Sequence, residues 1–180
     1  MSSKKNKALK FNIIRDTREQ KPLDMFTRKV IRKKLDTGDY SIEGHEDAIT
    51  FEHKTIADLV GSCDYKQRER FKREYERMYL FDFAVVVIRG KEEDLLPYCR
   101  KLYKQQYPKY LSKAKMAKNK GYKPPRPPKR PEVRAMGVLG SMKQWRVRYG
   151  VHFYFIGSEL ETCKWVEEQM EYFVADLEDK

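Results

Sequence analysis

The chain has 180 residues, a formal net charge of +12 and an isoelectric point near 9.5, enough for one domain with a single substantial core. No apolar run reaches the roughly 18 residues of a membrane span, so no membrane association is expected and the charge fits a polyanionic partner such as nucleic acid. Cys63, Cys99 and Cys163 lie far apart without a C-x-x-C pair, which argues against a disulfide framework or zinc site and favours a reducing, cytoplasmic setting.

Residues 1–8 carry charge with no hydrophobic stretch after it, so they read as a basic arm and not a signal peptide. The domain proper is expected over 9–180. Leu9 to Arg15 alternates loosely as a strand and runs into the polar stretch from Asp16 to Pro22. Lys34 to Ile42 and Ala48 to Lys54 read as two further strands, joined by the turn Glu43 to Asp47 into an antiparallel hairpin. Thr55 followed by Asp58 predicts a capping box at a helix start. A second helical pattern begins at Tyr65, with Phe71, Tyr75, Met78 and Tyr79 as its apolar stripe.

Phe83 to Ile88 is a continuous β-branched and apolar run ending at Gly90, the mark of a strand buried on both faces. Lys91 to Tyr103 and Met136 to Arg148 read as helices, the latter ending near Gly150. Val151 to Ile156 reads as a second buried strand. Ser158 and Glu161 cap a last helix whose Leu160, Cys163, Val166, Met170, Phe173 and Leu177 share one face. Strands alternating with helices after a hairpin imply an α/β sandwich with a mixed sheet.

The segment from Arg100 to Pro131 stands apart, an insertion with a dozen Lys and Arg and no acid. Tyrosines are interleaved, and the segment closes in a proline-rich run expected to be extended. Lys104, Lys109, Lys113, Lys115, Arg126, Lys129 and Arg130 would neutralise phosphates, while Tyr107 and Tyr110 would stack on unpaired bases.

Chemistry concentrates in Gly38-Asp39, Glu52-His53-Lys54 and Asp58. Residues at i and i+2 of a strand share a face, so Glu52 and Lys54 project together while Phe51 and His53 point the other way. Two carboxylates beside one lysine can hold a hard divalent cation, Mg²⁺ or Mn²⁺, and orient an attacking water for phosphodiester hydrolysis. Asp16 and Glu19 end the first strand where an α/β site forms, with Glu19 alternatively paired to Arg18. Asp58 caps its helix and abuts the site.

These residues resemble the core motif of the XPF/Hef structure-specific endonuclease family: Gly-Asp, a variable gap, Glu-Arg-Lys, three residues, then Asp. The segments from Ile14 to Glu19 and from Ile56 to Ser62 are similar to the family's first strand and to the helix after the Lys. The resemblance implies a restriction-endonuclease-like three-layer α/β/α core with a mixed central sheet. It also implies Asp39 and Glu52 as metal ligands helped by Asp16, Lys54 as the residue that positions or activates water, and products with a 5′ phosphate. His53 stands where the family has Arg. It would take that residue's structural or phosphate-contacting place more weakly, or offer its backbone carbonyl to the cation. Arg70 resembles an Arg of the family's equivalent helix; for it and for Arg68, phosphate contact and a solvated helix face are equal readings.

Family members often pair as dimers and carry a C-terminal helix-hairpin-helix module, which is not expected here because the sequence ends soon after its last expected core helix. Selectivity would then come from a homodimer, a partner protein or the basic insertion, and such compact versions occur in phages. The expected function is cleavage of branched, flap or fork DNA. The alternatives are a non-catalytic nucleic-acid-binding protein on the same fold and a Holliday-junction resolvase-like enzyme.

Overall fold

The computed structural model describes residues 10–178; the basic arm expected at 1–8 lies outside the described residues. Six strands form one mixed sheet: β1 (Ile13–Arg15), β2 (Val30–Arg32), β3 (Tyr40–Ile42), β4 (Ile49–Thr55), β5 (Phe83–Arg89) and β6 (His152–Phe155), in the order β2-β1-β3-β4-β5-β6. β3 runs antiparallel to both β1 and β4, and the remaining pairs are parallel. Five helices cover the sheet: α1 (Ile56–Ser62), α2 (Tyr65–Met78), α3 (Leu95–Asn119), α4 (Pro131–Tyr149) and α5 (Glu159–Glu178).

The central strands alternate between two cores. Val86 and Ile88 of β5 pack with α1 to α4, while Val85 and Val87 pack with Cys163, Val166 and Met170 of α5. The result is the expected α/β/α layering. Trp145 of α4, 1% exposed, lies 5.1 Å from the Tyr75 ring of α2 and 6.2 Å from Phe153 of β6. It ties two helices to the sheet, and a Trp→Ala change at such a site costs about 3–5 kcal/mol.

The hairpin of β3 and β4 forms as expected, but the strand expected from Lys34 begins only at Tyr40, because residues 33–39 are held as a loop by side chains of neighbouring elements. β2 has no counterpart among the expected strands. Val30-Ile31-Arg32 sits in a basic stretch without a clear period, and its strand is defined by parallel pairing with β1. In α5, Leu160 and Leu177 are each 39% exposed, so the apolar stripe serves the core only in its middle.

The largest difference concerns the basic segment. The helix expected to end at Tyr103 continues as α3 through Pro108 to Asn119, and only 122–130 lacks regular structure. Leu102 packs against the core, and Arg134 of α4 donates to Gln106 at 3.3 Å. The insertion is therefore half of a helical hairpin continuous with the domain. Its interleaved Lys and Tyr draw attention to what it could contact, whereas its Leu, Ala, Lys and Gln are good helix formers. α4 opens at Pro131, earlier than expected, with proline at the first helical position where its missing N–H costs nothing.

Candidate active site

Gly38 fixes the first half of the site. Its φ is +75°, and a Cβ there would lie 2.0 Å from Thr50 Oγ1, whose hydroxyl donates to the Thr37 carbonyl at 3.0 Å. Only glycine lets the loop come this close to β4. Asp39 follows with three anchors: its N–H donates to the Phe51 carbonyl at 2.8 Å, its carbonyl accepts from Asp16 N–H at 2.8 Å, and Oδ2 accepts from His53 N–H at 2.8 Å.

β4 supplies the second half. Glu52 and Lys54 project toward α2 as the two-residue period requires, while Phe51 enters the α5-side core. The Lys54 ammonium is 3% exposed, donates to Glu52 Oε1 at 2.5 Å, lies 3.9 Å from Glu74 Oε1 and sits 4.2 Å over the Phe71 ring. Asp39 and Glu74 lie close enough to Glu52 for its charge to act on both. Glu74, from α2, is a site residue that the sequence motif does not contain. Phe71, Tyr75 and Met78 turn that side of α2 toward the sheet, but in the sequence Glu74 looks like the helix's other charged residues.

Three carboxylates therefore crowd around one ammonium. Burial, and then repulsion from Glu52, push Asp39 up to about 10 and Glu74 up to about 8. Burial also works against the charge on Glu52, but the Lys54 charge and hydrogen bonds from Glu74 and Lys54 hold its carboxyl below the ordinary value. Burial opposes the Lys54 charge as well; Glu52 and Glu74 outweigh it and raise its pKa. Lys54 is thus a fixed cation, suited to orienting water or meeting phosphate charge.

The donor set suits a small divalent cation. Among the described residues Glu74 Oε1 is buried with no hydrogen-bond partner, and three carboxyl groups share the single Lys54 ammonium. Among the described residues no three His, Cys, Asp or Glu side chains are arranged to hold a metal by themselves. A hard divalent cation held by one or two of these carboxylates would complete its shell with water and substrate phosphate.

Asp16 stands differently from the expectation. It is 2% exposed, and both oxygens are taken: Oδ1 accepts from Arg18 N–H at 2.6 Å and Nε at 2.9 Å, Oδ2 from Arg18 Nη2 at 2.9 Å and Leu35 N–H at 2.7 Å. In this geometry it anchors Arg18 and the 33–39 loop and has no oxygen free for a cation. Glu19 lines the site and accepts from Lys21 N–H at 2.5 Å. Asp58 forms the expected capping box with Thr55, and both its oxygens also accept from Lys21 Nζ at 2.8 Å. The His53 ring is buried, edge-on to Tyr40 at 6.5 Å, with Nε2 unpartnered. It lies on the far side of the strand from Glu52, and only its backbone reaches the site.

Of the arginines, Arg18 and Arg70 are exposed and line the cleft. Arg68 does not: it donates to Ser141 Oγ at 2.7 Å and Gln144 Oε1 at 2.8 Å, with its guanidinium 5.0 Å from the Trp145 ring. It clasps α2 to α4, so phosphate contact is not its place here. On the basic hairpin, Lys104, Lys109, Lys113, Lys115, Arg126, Lys129 and Arg130 are exposed. Tyr103, Tyr107 and Tyr110 stack on one another, with ring centroids 5.1 and 5.9 Å apart, leaving Tyr107 38% exposed and Tyr110 half-buried. Among the described residues no helix is long and apolar enough to cross a membrane.

Comparison with known proteins identifies the family and the fold. The ERCC4 domain family matches residues 15–168. Among solved structures, XPF from Aeropyrum pernix superposes with a TM-score of 0.58 at 17% identity, over 89% of this chain and 60% of that one. The same protein in complex with DNA gives 0.58 at 18% identity, over 93% and 66%. This chain thus spans under two thirds of the length of either. No curated protein sequence matches it.

Proposed function

Because the chain belongs to the ERCC4 domain family, we propose that it is a metal-dependent DNA endonuclease that hydrolyses phosphodiester bonds in branched, flap or fork DNA. The observation that carries this reading is the convergence of Asp39, Glu52 and Lys54 in a cleft lined by Arg18 and Arg70. Asp39 and Glu52 would hold Mg²⁺ or Mn²⁺. When bound, that ion supplies Lewis-acid charge for the phosphate in its transition state. Lys54, fixed between Glu52 and Glu74 and permanently charged, would orient the attacking water in line with the leaving oxygen and add a donor to the developing charge. Asp16 would keep the Arg18 fork aimed into the cleft. The neighbour solved with DNA and the acid-free basic segment from Arg100 to Pro131 both favour a DNA substrate. That hairpin, or a partner or second copy of the chain, would supply structure selectivity.

The test is incubation with end-labelled flap, fork, junction and linear DNAs in Mg²⁺, Mn²⁺ or EDTA, alongside Glu52→Gln. Metal-dependent cutting of branched substrates, lost in the variant, supports the reading. DNA binding without cleavage in any metal would sink it and leave the non-catalytic alternative.

A further inference from the structure

Helix α2 turns its stripe of Phe71, Tyr75 and Met78 into the core. Beside that stripe, Arg70, Arg73 and Arg77 recur at i, i+3 and i+7, all exposed. They line a cleft of about 380 Å³ together with Thr37, Gly38, Asp39, Glu52 and Glu74. A second cleft of about 360 Å³, past Lys21, Lys54 and Phe71, opens onto the same three carboxylates. The reacting centre thus sits where two clefts meet, and only the first has the arginine row along its length.

Among the described residues those arginines form no ion pair with an acid. Arg70 lies 5.7 Å from the Phe71 ring, and Arg77 donates to Thr37 Oγ1 at 3.2 Å and to the Arg73 carbonyl at 3.1 Å. Arg73 has no side-chain hydrogen bond or ion pair among the described residues. On the outward side of the same helix Lys72 does pair with Glu69, at 2.6 Å. Arg68, the other arginine of α2, is engaged with Ser141 and Gln144 of α4 and lies away from the cleft.

We propose that Arg70, Arg73 and Arg77 form a track for the sugar–phosphate backbone of the cut strand, on one side of the scissile phosphate. The strand would enter along α2 and leave through the second cleft past Lys21. Seven residues of helix rise about 10 Å, close to the axial length of about three nucleotides in one strand of duplex DNA. The planar guanidinium fork can bind each phosphate with two parallel hydrogen bonds. The proposal rests on the cleft being a phosphodiester-cutting site.

The experiment is binding by fluorescence anisotropy in EDTA. Wild type and Arg73→Gln are each titrated with a flap DNA in which single phosphates are replaced, one at a time, by neutral methylphosphonates. Arg73 is exposed and holds no other side chain by hydrogen bond or ion pair among the described residues, so the variant should melt with wild type. Its affinity should fall about 3- to 10-fold, and the slope of log affinity against log salt should drop by about 0.7–0.9. The loss should disappear when one or two adjacent phosphates of one strand are already neutral, because residues and groups in contact are non-additive. Mapping the cut in Mn²⁺ then places those phosphates on one side of the bond. An unchanged salt slope, additivity at every phosphate, or coupling on both sides overturns the track while leaving cleavage untouched. Coupling without any cleavage by wild type would instead refute the nuclease reading and, with it, the assignment of these contacts to a cut strand.

Discussion

Replacing Asp39 by Asn should stabilise the metal-free protein while destroying its activity. In the unfolded chain this carboxyl ionises near its ordinary value of 3.8, and in the folded site burial and Glu52 raise it to about 10. Between those limits the folded state binds the extra proton, so stability falls as pH rises from the lower value toward the upper one. At pH 7 the gap is about three pH units, worth about 1.4 kcal/mol each, a ceiling near 4 kcal/mol. Because Glu52 and Glu74 share the same excess charge, a gain of about 1–2 kcal/mol is expected, with mutual couplings of this order being usual for contacting groups. Asn is isosteric, and its oxygen can still accept the His53 N–H. For a domain of this size the gain corresponds to a rise in Tm of about 2–8 °C. Thermal unfolding in EDTA should show it at pH 8 and show it shrinking steeply toward pH 5. Saturating Mn²⁺ should reverse the order, raising the wild-type Tm by mass action and leaving the variant unmoved. A variant that melts at or below wild type at pH 8 in EDTA, or a gain independent of pH, would refute the electrostatic account of the site.

Glu52→Gln should lower the cleavage rate by about 10²–10³-fold with DNA affinity largely kept, as read by single-turnover cleavage beside binding in EDTA. Lys54→Ala leaves Glu52 and Glu74 without their buried counter-charge and should cost about 3–5 kcal/mol in urea unfolding, whereas His53→Ala should affect cleavage less than either; a His53 effect equal to that of Glu52 would contradict the strand-face geometry. Gly38→Ala forces a Cβ against Thr50 and a left-handed φ on an L-residue, so both Tm and cleavage should drop, by at least about 1 kcal/mol in stability. Neutralising Lys109, Lys113 and Arg126 together should lower the salt slope of duplex binding by up to about 0.9 for each phosphate that the hairpin no longer neutralises. Tm should stay unchanged, since all three side chains are exposed.

Much of the site is legible in the sequence because strand geometry is local. The two-residue period puts Glu52 and Lys54 on one face, the Gly-Asp pair marks the loop's close approach, and Thr55 with Asp58 gives the helix start. Glu74, Arg73 and Arg77 are not legible, because a charged residue on a charged helix looks the same whether it faces water or a cleft; only packing of α2 on β4 decides. Asp16 can be placed at the site by its strand end, but not its engagement with Arg18 and Leu35, which depends on how the 33–39 loop folds back. The shape of the basic segment is hidden for a related reason. Its composition reports what it can contact, while its helicity is settled by α4 lying alongside.

Asp39, Glu52 and Lys54 all belong to one hairpin, closed by backbone bonds between adjacent strands. This cluster is thus assembled by short-range closure, which is fast and entropically cheap. Glu74 arrives only when α2 docks. The nascent hairpin would meet water with ordinary carboxylates, and the electrostatic frustration of the finished pocket would be imposed last, by the helix that seals it.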